Sequence, residues 1–220
     1  MVKAAALAWS LSVAAALATQ IPVEKEPHHR VVFEDAQLRV LDVNVPPREL
    51  TLEHRHDHDI ATVSISAADT RTISPGQPWG PTRPRRPPGA PNTTEYTGKP
   101  GVHTIENVGQ TLYRLIAVEN LRDGNWSTGA LLDASATSLA IESRAFRVYD
   151  VRLGAAAPLT RHIHQVPAVA VLVAGAIVAD TESAPQRLDQ PGQWVLVKPR
   201  ELHRMVVSGS DAHIVEIEVR

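Results

Sequence analysis

The sequence contains no cysteine, which excludes disulfide scaffolds, thiolate zinc sites, iron–sulfur centres and cysteine nucleophiles. Aromatic residues make up only 4% of it, so a pocket or stacking platform built mainly of rings is not expected. Neither sign of charge is in excess. The 22 Lys and Arg against 24 Asp and Glu give a formal −2, without the net basic face that dense phosphate neutralisation needs, so nucleic acid is excluded as a partner by bulk charge. Also missing are a G-x-S-x-G nucleophile turn, a phosphate-binding glycine loop and a persuasive pair of catalytic carboxylates. The composition that remains, 43% hydrophobic and 21% charged, is that of a globular protein. Ten histidines and 17 prolines are its unusual features, and both are clustered.

Only one long apolar stretch occurs. Lys3 precedes an uncharged run from Ala4 to Ala16, and Ala16-Leu17-Ala18 then places small residues where a signal peptidase reads. The run is shorter than the roughly 20 residues a membrane-spanning helix needs. Residues 1–18 are therefore expected to be a cleaved signal peptide, the mature chain exported to the periplasm or secreted, and stable membrane insertion is not expected.

The rest of the chain repeats once. Leu38-Arg39-Val40-Leu41-Asp42-Val43 aligns with Phe146-Arg147-Val148-Tyr149-Asp150-Val151 at an offset of 108, which also carries His54 onto His162 and His56 onto His164. Seven identities fall in the 28 positions from 38 to 65. Further on, His103 lies on His203 at an offset of 100. The first copy is thus eight residues longer, and the excess coincides with a proline cluster from Pro75 to Pro100. Proline removes a ladder donor and fixes φ, so this segment reads as a long extended loop, made locally basic by Arg83, Arg85 and Arg86. It is a solvated insertion or a lid that recruits an anionic ligand.

Outside the leading segment helical periodicity is absent, and the apolar residues alternate as in strands. Leu50, Leu52, His54 and His56 share one face of an extended chain, and Ala168–Val173 reads as a strand buried on both faces. Thr111–Glu119, Trp194–Val197 and Ile214–Val219 are further strands. Two copies of many short strands predict an all-β protein of two tandem sandwiches or barrels, with domains at 28–122 and 139–220 and a linker at 123–138.

The chemistry is in the histidines. On a strand, an H-x-H pair projects both imidazoles to one side, where they can converge on one divalent ion. A third ligand from a distant strand completes a facial site with open positions. The candidate ligands are His54, His56 and His103 in the first copy, and His162, His164 and His203 in the second.

With these residues in place, the sequence resembles a bicupin, two cupin jelly-roll β-barrels in one chain. The family's first motif, G-x5-H-x-H-x3,4-E-x6-G, is met by His162, His164 and Gly175, with Ala168 where the glutamate belongs. In the first copy His54 and His56 fit, while Ile60 and Ala67 replace the glutamate and glycine. The second motif, G-x5-P-x-G-x2-H-x3-N, is approximated by Pro100, Gly101, His103 and Asn107, and more loosely by Pro199 and His203, with Val207 in the asparagine position. The resemblance implies a divalent cofactor (Fe, Mn, Zn or Ni), a small-molecule ligand and, as an assembly, a homodimer. It leaves the activity open, because the family spans dioxygenases, isomerases, decarboxylases and non-enzymes.

The absent glutamates have a consequence. Three neutral imidazoles leave a cation its full charge, so such a site favours anionic ligands, and three-histidine iron sites occur in cupin dioxygenases acting on small acids. His58 or Asp59 is a candidate fourth ligand, although Asp59 has the parity of a solvated turn residue, and the nearby carboxylates are candidate partners for ring N–H groups. His28, His29 and His213 read as surface residues. The expected function is an exported bicupin that binds a divalent metal through three-histidine sites and binds or transforms a small anion. The alternative is a non-catalytic ligand-binding or structural cupin with degenerate sites.

Overall fold

The computed structural model describes residues 20–122, 124, 126–132, 136–154 and 159–220. The expected signal peptide lies outside them. Among the described residues the regular structure is fifteen strands and one 3-10 turn (Val23–Lys25), and no helix is long and apolar enough to cross a membrane. The first nine strands are β1 (Ile21–Pro22), β2 (His29–Glu34), β3 (Leu38–Val45), β4 (His54–His56), β5 (Ile60–Ser66), β6 (Thr70–Ile73), β7 (Pro91–Thr94), β8 (Gly101–Asn107) and β9 (Tyr113–Asn120). The remaining six are β10 (Thr137–Glu142), β11 (Phe146–Gly154), β12 (Ala168–Asp180), β13 (Gln186–Leu188), β14 (Trp194–Val197) and β15 (Arg204–Val219).

The strands form two tandem jelly-roll barrels. In the first, a sheet ordered β2-β3-β9-β5-β7 faces one ordered β1-β4-β8-β6. In the second, one sheet runs β10-β11-β15-β12-β13, with β14 also paired to β12. The two copies repeat in register as well as in sequence. Val40 pairs with Val118 in the first and Val148 with Ile217 in the second, so β9 maps onto β15 at an offset of 99.

Side-chain alternation explains why the central strands carry near-continuous apolar sequence. Val169, Val171 and Val173 of β12 join Val215, Ile217 and Val219 of β15, Leu38 and Val40 of β3, and Ile116 and Val118 of β9 in a core shared between the barrels. The alternate residues of the second barrel, Ala168, Ala170, Leu172, Tyr149, Val151 and Ile214, fill its own interior. Leu41, Val43, Val45, Leu115 and Ala117 do the same in the first. Both faces of these strands are therefore buried, and Phe33 meets Trp194 edge-on across the junction at 5.9 Å. By the same parity, Glu216 and Glu218 point with Ile214 into the second barrel.

Gly175 turns β12 at φ +80°, where the ladder to β15 slips between Gly175 and Ile177. A Cβ there would sit 2.2 Å from the Asp211 carbonyl oxygen. Gly175→Ala is expected to destabilise the chain by about 2 kcal/mol or more, read as a lower urea midpoint at unchanged slope.

The structure departs from the sequence reading at several places. The proline-rich segment is not wholly a loop, because β7 lies within it as an edge strand on β5, a position that tolerates Pro91. Strand β10 begins at Thr137, inside the expected linker. Leu50 and Leu52 do not share the histidines' face. They are exposed while Thr51, His54 and His56 are buried, because strand geometry begins only at His54 and Thr51 instead donates its backbone N–H to Ile105. His213 is buried rather than on the surface, with Nε2 3.2 Å from Asp150 and Gly89 of the insertion against its ring.

Candidate metal centres

The first centre is assembled by an antiparallel pair. Strands β4 and β8 set His54 opposite His103, and the period of two brings His56 to the same side. The rings of His54, His56 and His103 are 4.6–5.0 Å apart between centroids, and one ligand nitrogen from each lies within 4.8 Å of the others. Nδ1 of His54 is 2.8 Å from the Leu52 carbonyl, which fixes this nitrogen as the donor and leaves the Nε2 lone pair inward. That Nε2 is buried without a protein partner, as is Nδ1 of His56. Burial, followed by the charge of neighbouring imidazoles, holds His54 down to about 4, His56 to about 2 and His103 to about 3, so all three are neutral and ready to ligate at pH 7.

The second centre repeats this geometry. A backbone bridge, with N–H to carbonyl distances of 3.0 Å in both directions, joins His162 to His203 as β4 joins β8. The rings of His162, His164 and His203 are 4.2–5.0 Å apart. Nδ1 of His162 donates to the Thr160 carbonyl at 2.9 Å, repeating His54 onto Leu52, and Nδ1 of His203 donates to the Glu201 carbonyl at 3.2 Å. Both Nε2 atoms are left buried without a hydrogen-bond partner.

A fourth residue joins this group. Glu216 offers a carboxylate oxygen within the same 4.8 Å set. Its Oε1 is 2.9 Å from His164 Nε2 and 3.4 Å from His203 Nε2, the latter an ion-pair contact without hydrogen-bond geometry. The other ring nitrogen of His164 is 2.7 Å from Glu218. Burial opposes charge on His164, but the Glu216 charge and the hydrogen bonds to both glutamates outweigh it and raise the imidazole to about 10. Burial likewise opposes ionisation of Glu216, and contact with His164 and His203 overrides it, holding the carboxyl well below its ordinary value.

The family motif seeks its glutamate at position 168. Ala168 is there, and the carboxylate comes instead from the adjacent strand, where Glu216 pairs with Ala170. The signal in the sequence is Glu216 and Glu218 alternating with valines and isoleucines in a buried strand. At the 99-residue offset the first barrel has Ala117 in place of Glu216, but keeps Glu119 in place of Glu218. The flanking ion pairs are also repeated. Arg39 bonds Glu34 and Glu119, both at 2.6 Å, and Arg147 bonds Glu142 at 3.0 Å and reaches Glu218 at 3.6 Å. On these equivalent strands, β9 and β15, the two centres differ by one buried carboxylate.

The candidate fourth ligands in the first barrel fall elsewhere. His58 is outside the convergent group. Asp59 is buried rather than solvated, accepting the Tyr96 and Thr97 N–H groups at 2.7 Å and pairing with Arg144. Asp57 does not orient an imidazole; it pairs with Arg55 on the exposed side. The group that sequence reasoning missed is His29. It is 5% exposed, its ring is 4.6 Å from that of His54, and its Nδ1 is 2.5 Å from Glu26. The cue available was the acidic residue three positions ahead of a histidine at a strand start, which by itself is common.

A cavity of about 570 Å3 opens onto the first centre. His29, His56 and His103 line it, together with Tyr96, Arg83 and Arg86. Tyr96 stacks on His56 at 4.8 Å. Both arginines come from the proline-rich insertion, which is pinned at Arg83 by paired backbone hydrogen bonds to Thr70 of 2.7 and 3.2 Å. Arg86 bonds the Ala90 and Pro91 carbonyls. Neither guanidinium is paired with a carboxylate among the described residues. A larger cleft of about 780 Å3 lies between the barrels but is lined by no histidine.

No family model matches the chain, and no curated protein matches it in sequence. Solved structures do match in fold. A cupin 2 conserved barrel domain protein from Leptotrichia buccalis aligns over 86% of this chain and 87% of its own, with TM-score 0.57 and 8% identity. Salicylate 1,2-dioxygenase from Pseudaminobacter salicylatoxidans aligns over 84% and 71%, with TM-score 0.60 and 12% identity. The formate complex of Lactobacillus farciminis oxalate decarboxylase aligns over 84% and 78%, with TM-score 0.60 and 10% identity. At these identities the likeness is one of fold, that of cupin jelly-roll proteins.

Proposed function

We propose that the chain is an exported bicupin that binds a divalent cation at each centre and admits a small anionic molecule to the first. The observation that carries this reading is that one nitrogen from each imidazole converges at each centre, with Nε2 of His54, His162 and His203, each oriented by a backbone carbonyl at Nδ1, and Nδ1 of His56 buried without a protein partner. An unpaired buried acceptor is costly, and a cation at the convergence point satisfies all of them together. His54, His56 and His103 would hold one ion. His162, His164, His203 and Glu216 would hold the other. A bound ion supplies Lewis acidity at its open positions. Fe, Mn, Zn and Ni all suit imidazole donors.

The division of labour follows from charge and access. Neutral donors alone leave the first ion its whole charge beside an open cavity flanked by Arg83 and Arg86, an environment for a carboxylate. The fold neighbours point the same way by their names, which concern salicylate, oxalate and formate. In the second centre Glu216 cancels one unit of charge, and three of the four ligand residues are buried.

The test is a titration of small carboxylates, salicylate and oxalate, into the metal-loaded mature chain. Saturable binding that requires metal is expected. Arg83→Ala is expected to weaken it about tenfold, the worth of one charge-assisted hydrogen bond. Ala117→Glu, which installs the second barrel's carboxylate in the first, is expected to abolish it while metal is retained. Equal affinity of the parent and Ala117→Glu chains for both anions would contradict the reading.

A further inference from the structure

We propose that the first centre has a fourth imidazole, His29, supplied by the strand that leads into the barrel and held in a ligating tautomer by Glu26. The inference rests on the reading of His54, His56 and His103 as a metal trio and extends its ligand set.

Three observations converge on it. The first is position. The His29 ring is as close to His54, at 4.6 Å, as His103 is, and lies 6.3 Å from His56 while lining the same cavity. His29 lies outside the group whose ligand nitrogens are all within 4.8 Å of one another, and it lines the cavity beside His56 and His103. The second is orientation. With Nδ1 of His29 2.5 Å from the Glu26 carboxylate, Nδ1 is the donor and Nε2 is the ring nitrogen a cation would take. A carboxylate on the far nitrogen of an imidazole is the arrangement that fixes metal-binding histidines and raises their basicity.

The third observation is that Glu26 is itself built in. It is 2% exposed and accepts the Leu52 N–H at 3.1 Å and the His28 N–H at 2.8 Å. Leu52 is also the residue whose carbonyl orients His54. One buried carboxylate thus ties the approach of His29 to the start of the H-x-H strand. Among the described residues the second barrel has no such device. His29 faces Val43 in the register where Thr137 faces Val151, so threonine stands in its place, and Glu216 supplies the additional donor from a different strand. Each barrel completes its trio with a residue that the other does not have.

The experiment is a Co(II) titration of the full mature chain, read by visible absorption for each ion bound, on the parent and on His29→Ala, Glu26→Gln and His54→Ala. His29→Ala is expected to lower the affinity of one of the two ions about 10- to 100-fold and to alter that ion's spectrum. Glu26→Gln is expected to weaken the same ion by less. Free imidazole added to His29→Ala is expected to restore the parent spectrum, which a misfolded variant would not show. If His54→Ala loses an ion while His29→Ala keeps both parental affinities and the parental spectrum, this inference is wrong and the trio stands. If the parent chain itself takes up no ion, the metal reading fails and the fourth ligand with it.

Discussion

Lowering the pH from about 9 to about 6 is expected to strip metal from the second centre while the first stays loaded. The cause is competition with protons. Without metal, His164 holds a proton on each ring nitrogen, one facing Glu216 and one facing Glu218, and keeps its charge up to about pH 10. A cation must displace the Nε2 proton, so its apparent affinity falls about tenfold for each pH unit below that value, or about a thousandfold across the interval. The first trio has no such proton to displace, since burial holds His54, His56 and His103 at about 4, 2 and 3. The measurement is equilibrium dialysis against a metal buffer at several pH values, comparing the parent with His54→Ala and His162→Ala. Equal pH slopes at the two centres would contradict the charge assignment.

The metal-free protein carries the same signs in its stability. His164, raised above its unfolded value, adds stability that is complete below about pH 6.5 and lost as pH rises through about 10. Glu216, depressed, adds stability present above about 4.5 and lost as pH falls. The pair therefore supports the second barrel most fully between those two unfolded values. The depressed histidines of the first barrel act oppositely, and their protonation weakens the fold as pH drops below about 6.5.

Glu216→Ala is expected to cost the metal-free chain about 3–5 kcal/mol near pH 6, because it removes one partner of a buried ion pair and leaves His164 with Glu218 alone. The same substitution removes the one carboxylate of the second centre. The check is urea denaturation of parent and variant, with and without metal. A loss below about 1 kcal/mol would show that the Glu216–His164 contact does not hold the second barrel together. The equivalent position in the first barrel is already alanine, so Ala117→Gly gives a control in which no charge is lost.

Much of the fold was legible because the repeat is written in the residues that make it. Arg39 and Arg147, and Asp42 and Asp150, occupy equivalent strands; His162 meets His203 through an isolated bridge outside any strand where His54 and His103 pair in β4 and β8, and the change of offset to 100 is met by paired backbones at both centres. The burial of both faces of Ala168–Val173 was legible for the same reason, since only a strand between two cores carries such a run. What escaped depends on contacts between distant segments. Glu216 replaces a motif residue from the neighbouring strand, and no spacing rule links position 216 to 168. His29 looked like a surface residue because its burial comes from Glu26 and the barrel wall rather than from apolar neighbours in sequence. Leu50 and Leu52 misled because alternation was extended through a segment where the chain is not yet a strand.

The most direct test of the account is the metal content of the untagged chain after reconstitution, with His54→Ala and His162→Ala beside it. The account predicts about two ions per parent chain and about one in each variant, with the remaining ion in the unmutated barrel. A parent chain that retains no ion, or variants that each retain as much as the parent, would contradict it.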